Sequence, residues 1–544
     1  MIGDGHRSVR LATADTKRRV NTPTPERVEV AIVGAGLGGL MTALRLAREG
    51  KQVAVFDGHY VAGGCATMFS RGPNKARYAF DVGLHYVGDC GEDGLVTELL
   101  NDVDLNIEWH PLDPDGFDTI VLPDMRFQIP VGRDRYRDRL VEAFPSERKG
   151  IDRYVRLLEE VETMAELTKD APSGAKLAWT ALTRARLVAR HQHTTIGDFL
   201  DTCVHDPNLR AIILGQNGDY GVRPSRASAL LHCGLANHYF KGAYYPKGGG
   251  QILADEAAAA IEALGGSIHL RRRVTKITSE GGAVSGIDVE EKDGSISHVQ
   301  AKTVVSNADL IRTLNELMEP DDVTGRWSGR TEKMEMGAAL YILCLGVRGD
   351  LSEDGFKRTN YWRFASNDFE ELYDRIDAGD LTPHCAYLTS ASLKDPGTGG
   401  HAPDGVTSLE IMTVAPGDFG VWGTTEEAAL RGGYRQSLQY KAAKEQVEEG
   451  LIAHMEALFP GTRDRIVFRE SATPVTQTRY TRASAGSGYG LACTPAQFMK
   501  GRPGYRGPLR GLYFAGANTR AGHGIVGAML SARQCARRVI RDTG

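Results

Sequence analysis

The sequence predicts an α/β fold in which a Rossmann-type domain carries an inserted α+β substrate domain. Three observations predict it: an apolar strand that runs directly into a glycine-rich turn at Gly34, a second strand that ends in an acid at Asp57, and a strand–turn–helix segment over residues 511–540. At 544 residues the chain is long enough for two or more structural units.

The composition is that of an ordinary globular protein, with 41% hydrophobic and 25% charged residues. A formal net charge of −4 supplies no basic field, so no nucleic-acid partner is predicted. The eight cysteines include no CxxC pair, and His232 and His238 share no ligand spacing with nearby acids, so no metal site is predicted. Lacking a secretory segment or a bilayer-spanning apolar run, the chain is expected in the cytoplasm, with residues 1–27 as a disordered leader.

The first motif is a glycine-rich turn set between a strand and a helix. Residues 28–33 end in apolar, β-branched residues, as a buried parallel strand does, and the turn GAGLGG follows at residues 34–39. Residues 40–49 have the pattern of an amphipathic helix, and a second strand at residues 53–56 ends at Asp57. The order strand, turn, helix, strand and acid is much more specific than the glycines alone.

Each part of this motif has a physical role in binding a dinucleotide. Gly34 permits the tight turn, Gly36 lets a pyrophosphate approach the backbone, and Gly39 lets helix and strand pack closely. The free N–H groups of the helix N-terminus attract phosphate. An acid at the position of Asp57 accepts hydrogen bonds from ribose hydroxyls.

Two further segments favour FAD over NAD. A glycine pair, Gly63 and Gly64, comes just after the second strand, where it would let the ribityl chain of a flavin pass beside the backbone. Near the C-terminus, residues 511–517 form a predicted strand and turn, followed by a predicted helix over residues 528–540. The N-terminus of that helix would stabilise negative charge on a reduced flavin. The alternative interpretation of this segment is an ordinary closing βα unit.

Together these segments resemble the superfamily of phytoene desaturases, carotenoid isomerases and retinol saturases, from about residue 28 to the C-terminus. FDVGLHYVG at residues 80–88 and GAYYPKGGG at residues 242–250 are most similar to the retinol saturase branch. The resemblance implies the two-dinucleotide-binding-domain flavoprotein fold, with FAD as the cofactor. It implies FAD contacts at Gly34, Gly36, Leu37, Gly38, Gly39, Asp57, Gly63, Gly64, Val274, Gly516, Ala517, Ile525 and Val526.

The chain departs from its relatives at two positions. Many of them carry Glu at the ribose position, where this chain has the shorter Asp57. Amine oxidases, which share the flavin fold, usually carry a basic residue after the glycine pair, and here that residue is Cys65. The second departure weighs against an amine oxidase.

The FAD domain is expected to be discontinuous. Its predicted parts are residues 28–105, 243–315 and 505–544, with residues 106–242 and 316–504 forming the substrate domain. No second Rossmann fingerprint occurs, because the glycines at residues 248–250 do not follow an apolar strand. A tightly bound nicotinamide cofactor is therefore not expected.

The predicted function is FAD-dependent saturation, desaturation or cis–trans isomerisation of C=C bonds in a hydrophobic isoprenoid or polyene, with hydride exchanged at flavin N5. Candidate proton-handling residues are His85, Tyr245 and Lys247. His85 is preferred because histidine titrates near neutral pH; a structural histidine is the alternative. Tyr245 and Lys247 would face either the cavity or the domain junction. The direction of electron flow and the oligomeric state stay open.

Two other classes of function remain as alternatives, namely a flavin amine oxidase and a non-enzymatic prenyl-binding protein of the same fold. Non-enzymatic relatives typically lose the phosphate-loop glycines, which this chain keeps. Residues 175–191 form a predicted basic amphipathic helix with Trp179. It is expected either to pack on the domain core or to make peripheral contact with a membrane surface.

Overall fold

The computed structural model describes residues 14–72, 77–169 and 174–544. The strands are β1 (Arg27–Val33), β2 (Val53–Asp57), β3 (Met68–Arg71), β4 (Tyr78–Asp81), β5 (Val87–Gly88), β6 (Trp109–Pro111), β7 (Asp118–Val121), β8 (Arg126–Ile129), β9 (Ala243–Pro246), β10 (Ser267–Leu270), β11 (Arg273–Glu280), β12 (Ala283–Glu290), β13 (Ile296–Ser306), β14 (Ala339–Arg348), β15 (Asn360–Phe364), β16 (Cys385–Thr389), β17 (Val406–Ala415), β18 (Ile466–Ala472) and β19 (Leu512–Phe514). The α-helices are α1 (Ala14–Asn21), α2 (Leu37–Arg48), α3 (Leu95–Asn101), α4 (Arg133–Ala143), α5 (Arg148–Lys169), α6 (Gly174–Thr183), α7 (Arg186–His191), α8 (Ile196–Asp201), α9 (Pro207–Ile213), α10 (Ala229–Phe240), α11 (Gln251–Ala263), α12 (Leu310–Glu316), α13 (Phe369–Asp377), α14 (Ala391–Lys394), α15 (Glu426–Arg431), α16 (Leu438–Leu458), α17 (Pro474–Thr481) and α18 (Gly524–Thr543).

One sheet has the Rossmann arrangement and confirms the predicted fold class. Its strands lie in the order β10-β2-β1-β13-β12-β11, and β19 pairs with the C-terminal part of β13. Strands β10, β2, β1, β13 and β19 are mutually parallel, whereas β11, β12 and the first half of β13 form an antiparallel meander. Helices α2, α11 and α18 pack together against one face of the parallel part, and the β11–β13 meander and α12 contribute to the core on the other face, which explains why β1 and β2 are apolar on both faces.

A second seven-stranded sheet belongs to the inserted segments. Its order is β18-β14-β17-β16-β15-β7-β8, so it joins strands from both insertions. Helices α4 to α10 form one hydrophobic core with β7, β8 and β15. A small sheet, β5-β9-β6, links the segment after β4 with the segment before α11 and thereby connects the two parts of the molecule.

The glycine turn depends on backbone contacts that no side chain would allow. Gly34 lies at φ +95°, in the left-handed region that favours glycine. A Cβ on Gly39 would lie 2.2 Å from the carbonyl oxygen of Gly34. Helix α2 and strand β1 therefore pack at a separation that only glycine permits.

The expectation of a disordered leader over residues 1–27 is wrong for the part that the structure describes. Residues 14–21 form helix α1, which packs beside β10. The side chain of Arg19 is 3% exposed and lies 3.0 Å from Glu262 on α11. This pairing holds α1 on the domain although its sequence is polar. Sequence patterns detect apolar periodicity, which α1 lacks, so the helix was not predicted. Residues 1–13 lie outside the described residues.

Substituting Gly39 should show whether tight packing or helix propensity determines how an added methyl group changes the free energy of unfolding. Gly39→Ala is expected to lower the free energy of unfolding by about 1–3 kcal/mol, because the added methyl group overlaps a backbone oxygen. Gly234→Ala in α10 is the matched control, since a Cβ there meets nothing within 4 Å. It should be neutral or stabilising by up to about 1 kcal/mol. Denaturant unfolding followed by circular dichroism measures both, and equal effects would contradict the packing argument.

Candidate functional site

The phosphate-binding turn and the glycine pair lie against each other. Helix α2 begins at Leu37 with Gly36 as its N-cap and without a side-chain cap, so its first N–H groups stay free for an anion. The amide of Gly63 donates to the carbonyl oxygen of Ala35 at 2.7 Å. A Cβ on Gly64 would lie 3.0 Å from the Cα of Gly36. Along the expected path of the dinucleotide, these glycines therefore present backbone atoms without side chains.

Asp57 ends strand β2 beside this turn. Its Oδ2 accepts from the amide of Ala35 at 2.7 Å, and its Oδ1 accepts from the amide of His59 at 2.7 Å. Each carboxylate oxygen keeps a second acceptor site, which suits ribose hydroxyls. Val274, whose backbone is expected to meet the adenine, is buried in β11 on the same sheet.

The C-terminal segment meets the turn from the other side. A Cβ on Gly38 would lie 2.9 Å from the Cα of Gly516, so the two ends of the FAD domain touch. Ala517 follows at the same place, and its carbonyl oxygen accepts from the buried guanidinium of Arg502 at 3.1 Å. Ile525 and Val526, in the first turn of α18, line a large cavity. These contacts fit the expected path of FAD along both segments.

That cavity has a volume of about 1310 Å³ and extends from the first turn of α18 into the inserted domain. Most of its wall is apolar or aromatic, including Leu230, Leu231, Leu235, Trp362, Phe364, Phe369, Leu372 and Met412. The volume exceeds the roughly 300–1,000 Å³ of common ligand pockets. It therefore has room for a long apolar ligand beside a flavin ring.

His85 lines this cavity but is not the near-neutral histidine that sequence reasoning expected. It is 9% exposed, and neither ring nitrogen has a hydrogen-bond partner within the described residues. Burial, followed by the charge of Lys394, lowers the pKa of His85 to about 3. The imidazole is therefore neutral at pH 7 and presents a donor and an acceptor that the protein leaves unused.

A buried charged cluster lies directly behind His85. Asp81, His85 and Glu410 each place one nitrogen or oxygen atom within 4.8 Å of the other two. The Lys394 ammonium donates to the carbonyl oxygen of His85 at 2.6 Å. Burial raises the pKa of Glu410, the charge of Asp81 adds to that rise, and Lys394 opposes it.

The other two catalytic candidates lie away from the cavity wall. Tyr245 is 1% exposed, and its hydroxyl donates to Oδ2 of Asp81, so it belongs to the buried cluster. The Lys247 side chain is 47% exposed and pairs with Glu108 at 2.6 Å. It is absent from the cavity lining, so the expected role in proton handling is not supported by its position.

A second acidic pair, Asp118 and Asp219, adjoins the cavity. The Tyr86 hydroxyl lies 2.7 Å from Oδ2 of Asp219 and 3.1 Å from Oδ2 of Asp118. Burial raises the pKa of Asp219 to about 8, and the charge of Asp118 adds to it. Asp118 accepts from the side-chain amides of Gln216 and Asn360, each at 2.8 Å, so its charged form is the better solvated and Asp219 holds the proton of the pair at neutral pH.

A thiol and an imidazole stand at the start of α18. Sγ of Cys493 lies 3.3 Å from Nδ1 of His523, which lines the cavity, and accepts from Arg502 at 2.8 Å. Burial raises the pKa of Cys493, but His523 and then Arg502 outweigh it and bring the pKa to about 7. The thiol thus lies between an imidazole and a guanidinium beside the cavity.

Sequence reasoning missed Glu410, Lys394 and Asp219. One signal was present: Glu410 is the only charged residue in the strand VTSLEIMTVA and lies between Leu409 and Ile411, where a charge needs a buried partner. Lys394 and Asp219 carry no comparable local signal, because their partners lie far away in the chain.

Removing the Asp219 carboxylate should change how stability depends on pH. A carboxyl with a raised pKa in the folded state stabilises the fold below its unfolded pKa of about 3.9, and this stabilisation is lost as the pH rises through about 8. Asp219→Asn keeps an acceptor for Tyr86. In this variant the melting temperature should fall less between the pH values of the unfolded and the folded pKa. Thermal melts across that range compare the two proteins, and parallel pH profiles would contradict the assignment.

The chain matches two families of known proteins. Residues 32–103 match the family described as NAD(P)-binding Rossmann-like domain, and residues 422–540 match the family described as flavin containing amine oxidoreductase. The two matches cover the phosphate turn and the C-terminal flavin segment, respectively.

Relatives match over nearly the whole chain. The all-trans-retinol 13,14-reductase of Danio rerio is 29% identical over 94% of this chain and 86% of its own length. The human enzyme of that name is 26% identical over 95% and 86%. A chloroplastic prolycopene isomerase of Daucus carota is 23% identical over 95% and 80%.

Solved structures share the fold. An oxidoreductase from Methanosarcina mazei aligns with a TM-score of 0.61 at 18% identity, covering 93% of this chain and 99% of its own. A putrescine oxidase bound to putrescine aligns with a TM-score of 0.60 at 17% identity, covering 95% and 100%. With relatives that match over nearly the whole chain, these findings fit the retinol saturase and carotenoid isomerase branch of the FAD-dependent oxidoreductases.

Proposed function

We propose that the protein uses FAD to saturate, desaturate or isomerise a C=C bond in a hydrophobic isoprenoid or polyene. The observation that carries the proposal is the long apolar cavity that begins at the first turn of α18 and contains an unpartnered His85. A polyene has few polar groups, so a site that selects it must be mainly apolar. Relatives named for retinol reduction and prolycopene isomerisation support the same substrate class.

Bound FAD would exchange a hydride with a carbon of the substrate at its N5 atom. The chain's own residues do the remaining work. The turn at Gly36 and the N-terminus of α2 hold the diphosphate, while Asp57 holds the ribose. The apolar wall excludes water and fixes the double bond over the ring. His85 meets the substrate from the wall, with the charged cluster as its proton source behind it.

Substrate entry is proposed at helices α6 and α7, by peripheral contact with a membrane. Exposed residues Gln192 and His193 line the cavity, so it opens to the surface there. Trp179 on α6 is 69% exposed, and Ala181 on the same helix reaches the cavity wall. An exposed indole beside the mouth of an apolar tunnel suits insertion at a lipid interface. None of the described helices is apolar over a bilayer's thickness.

The reaction is tested by single turnover under anaerobic conditions. Protein loaded with FAD and photoreduced is mixed with retinoids and carotenoids, and the products are analysed by mass. A gain of two hydrogen atoms identifies saturation, and an unchanged mass with a shifted retention identifies isomerisation. Oxidised protein under the same conditions tests for desaturation. A colourless protein that gains no flavin spectrum with FAD would contradict the proposal.

Gly36→Glu supplies the variant that tests the dependence on FAD. Its carboxylate would repel the diphosphate, and its Cβ would meet Nδ2 of Asn307 at 2.8 Å. We expect FAD binding to weaken roughly hundredfold or more and turnover to stop. Gly433→Glu is the control, because a Cβ there meets nothing within 4 Å. Turnover by flavin-free Gly36→Glu protein would rule the flavin mechanism out.

Trp179→Glu tests the membrane contact. Loss of one inserted aromatic side chain should weaken binding to anionic phospholipid vesicles roughly tenfold or more. Leu438→Glu is the matched control, since Leu438 is 81% exposed and does not line the cavity. Vesicle co-sedimentation measures both variants. Equal binding by wild type and Trp179→Glu would show that α6 does not insert.

A further inference from the structure

In the buried cluster behind His85, negative charge would exceed positive charge if both carboxyl groups were ionised. Asp81 and Glu410 contribute two carboxyl groups, and Lys394 contributes one ammonium, all with burial of nine-tenths or more. Lys394 also approaches the rings of Tyr86 at 5.9 Å and Tyr245 at 5.4 Å, so it is held in place. A second uncompensated negative charge in such surroundings is very costly. One of the two carboxyls must therefore carry a proton.

The geometry places that proton on Glu410. Oδ2 of Asp81 accepts from Tyr245 and Oδ1 accepts from the amide of Gly250 at 2.8 Å, so the charged form of Asp81 is well solvated by donors. Oε1 of Glu410 accepts a long contact from the amide of Asp81 at 3.3 Å, and the backbone of Ala391 also approaches the carboxyl, while Oε2 has no hydrogen-bond partner of good geometry within the described residues. An unpartnered Oε2 beside an unpartnered imidazole suits an O–H donor.

Lys394 also argues against a metal ion at this place. The three atoms of Asp81, His85 and Glu410 are close enough to bind one. A divalent cation would however sit beside an ammonium that already supplies the positive charge. The same three groups can exchange a proton among themselves, and this exchange adds no divalent charge beside Lys394.

A row of buried acid–base groups runs from this cluster toward the solvent. Asp395 is fully buried, and its Oδ2 lies 2.9 Å from Nε2 of His401. Its Oδ1 lies 3.0 Å from Nε2 of His110, whose side chain is 27% exposed. His110 and His401 thus approach the two oxygens of one carboxylate, although Nε2 of His110 lies off the line of a hydrogen bond and must turn to donate.

One junction joins this row to the cluster. Nδ1 of His401 is buried and has no hydrogen-bond partner within the described residues. Its ring centroid lies 6.2 Å from that of Tyr245, whose hydroxyl is bonded to Asp81. No hydrogen bond joins His401 to Tyr245 among the described residues, so the row needs one bridging water molecule at this junction.

We propose a proton path between solvent and cavity formed in order by His110, Asp395, His401, Tyr245, Asp81, Glu410 and His85. This path rests on the proposed function and supplies the proton of the reaction, whereas the flavin supplies the hydride. Saturation adds two electrons and one proton to one carbon as a hydride from reduced flavin, and a second proton to the neighbouring carbon. Glu410 gives that proton through His85, and solvent replaces it along the path; desaturation runs the path outward.

Glu410 is the point at which the path is tested. At pH 7 the infrared spectra of the substrate-free wild-type and Glu410→Gln holoenzymes should differ by the C=O stretch of one buried carboxylic acid, because both proteins keep the separate acid of the Asp118–Asp219 pair. The side chains that face Glu410 are Asp81, His85, Lys394, Tyr245 and Cys344. In single turnover, Glu410→Gln should slow product formation about a hundredfold or more. Glu470→Gln, on the adjoining strand β18, is the control with an unchanged band and rate.

His110→Ala keeps the test valid if the buried variant folds poorly, because His110 is partly exposed. It should slow turnover about tenfold or more, and added imidazole should restore the rate. Product formed in D₂O should carry one deuterium from solvent. The path is overturned if Glu410→Gln leaves the wild-type acid band unchanged, or if both variants turn over at the wild-type rate. Wild type that converts no polyene would instead overturn the proposed function, since the acid band does not depend on substrate.

Discussion

The structure depends on one close approach of three backbone segments at the carboxyl ends of the parallel strands. The side chain of Asn307, which follows β13, lies where a Cβ on Gly38 would meet its Oδ1 at 2.6 Å and a Cβ on Gly516 would meet it at 2.5 Å. The beginning, middle and end of the chain are thereby held at one point. A discontinuous FAD domain can fold as a unit only because this contact closes it, and the substrate domain must therefore emerge as loops from a finished sheet.

The second constraint is the placing of charge inside an apolar structure. Asp81 at the end of β4 and Glu410 within β17 come from the two different parts of the molecule, and Lys394 at the end of α14 lies between them. Removal of Asp81 or of Lys394 leaves a buried charge unmatched, which is more costly than the pair is stabilising. The cluster therefore does two things at once. It holds His85 against the cavity, and it fixes how the two domains meet.

The fold and the cofactor site could be predicted largely from sequence because their signals are local. The turn from Gly34 to Gly39 and the acid at Asp57 lie within one βαβ unit, whose strand and helix periods are visible in the sequence. The buried cluster could not be predicted, because Asp81, Lys394 and Glu410 meet only through tertiary pairing. His85 was found by its neighbours in the sequence, but its depressed pKa depends on Lys394, far along the chain.

The two halves of the chemistry thus come from separate elements. The parallel sheet and the first turn of α18 carry the expected flavin contacts, whereas β4, α14 and β17 carry the buried acid–base cluster. Isomerisation requires no net uptake of protons, but saturation requires one proton from outside for every hydride. The proposed row of acid–base groups from His110 to His85 would supply that proton from solvent. The elements that carry this row are separate from the glycine turn and the C-terminal segment, so a substitution in the row can alter proton supply without altering the expected flavin contacts.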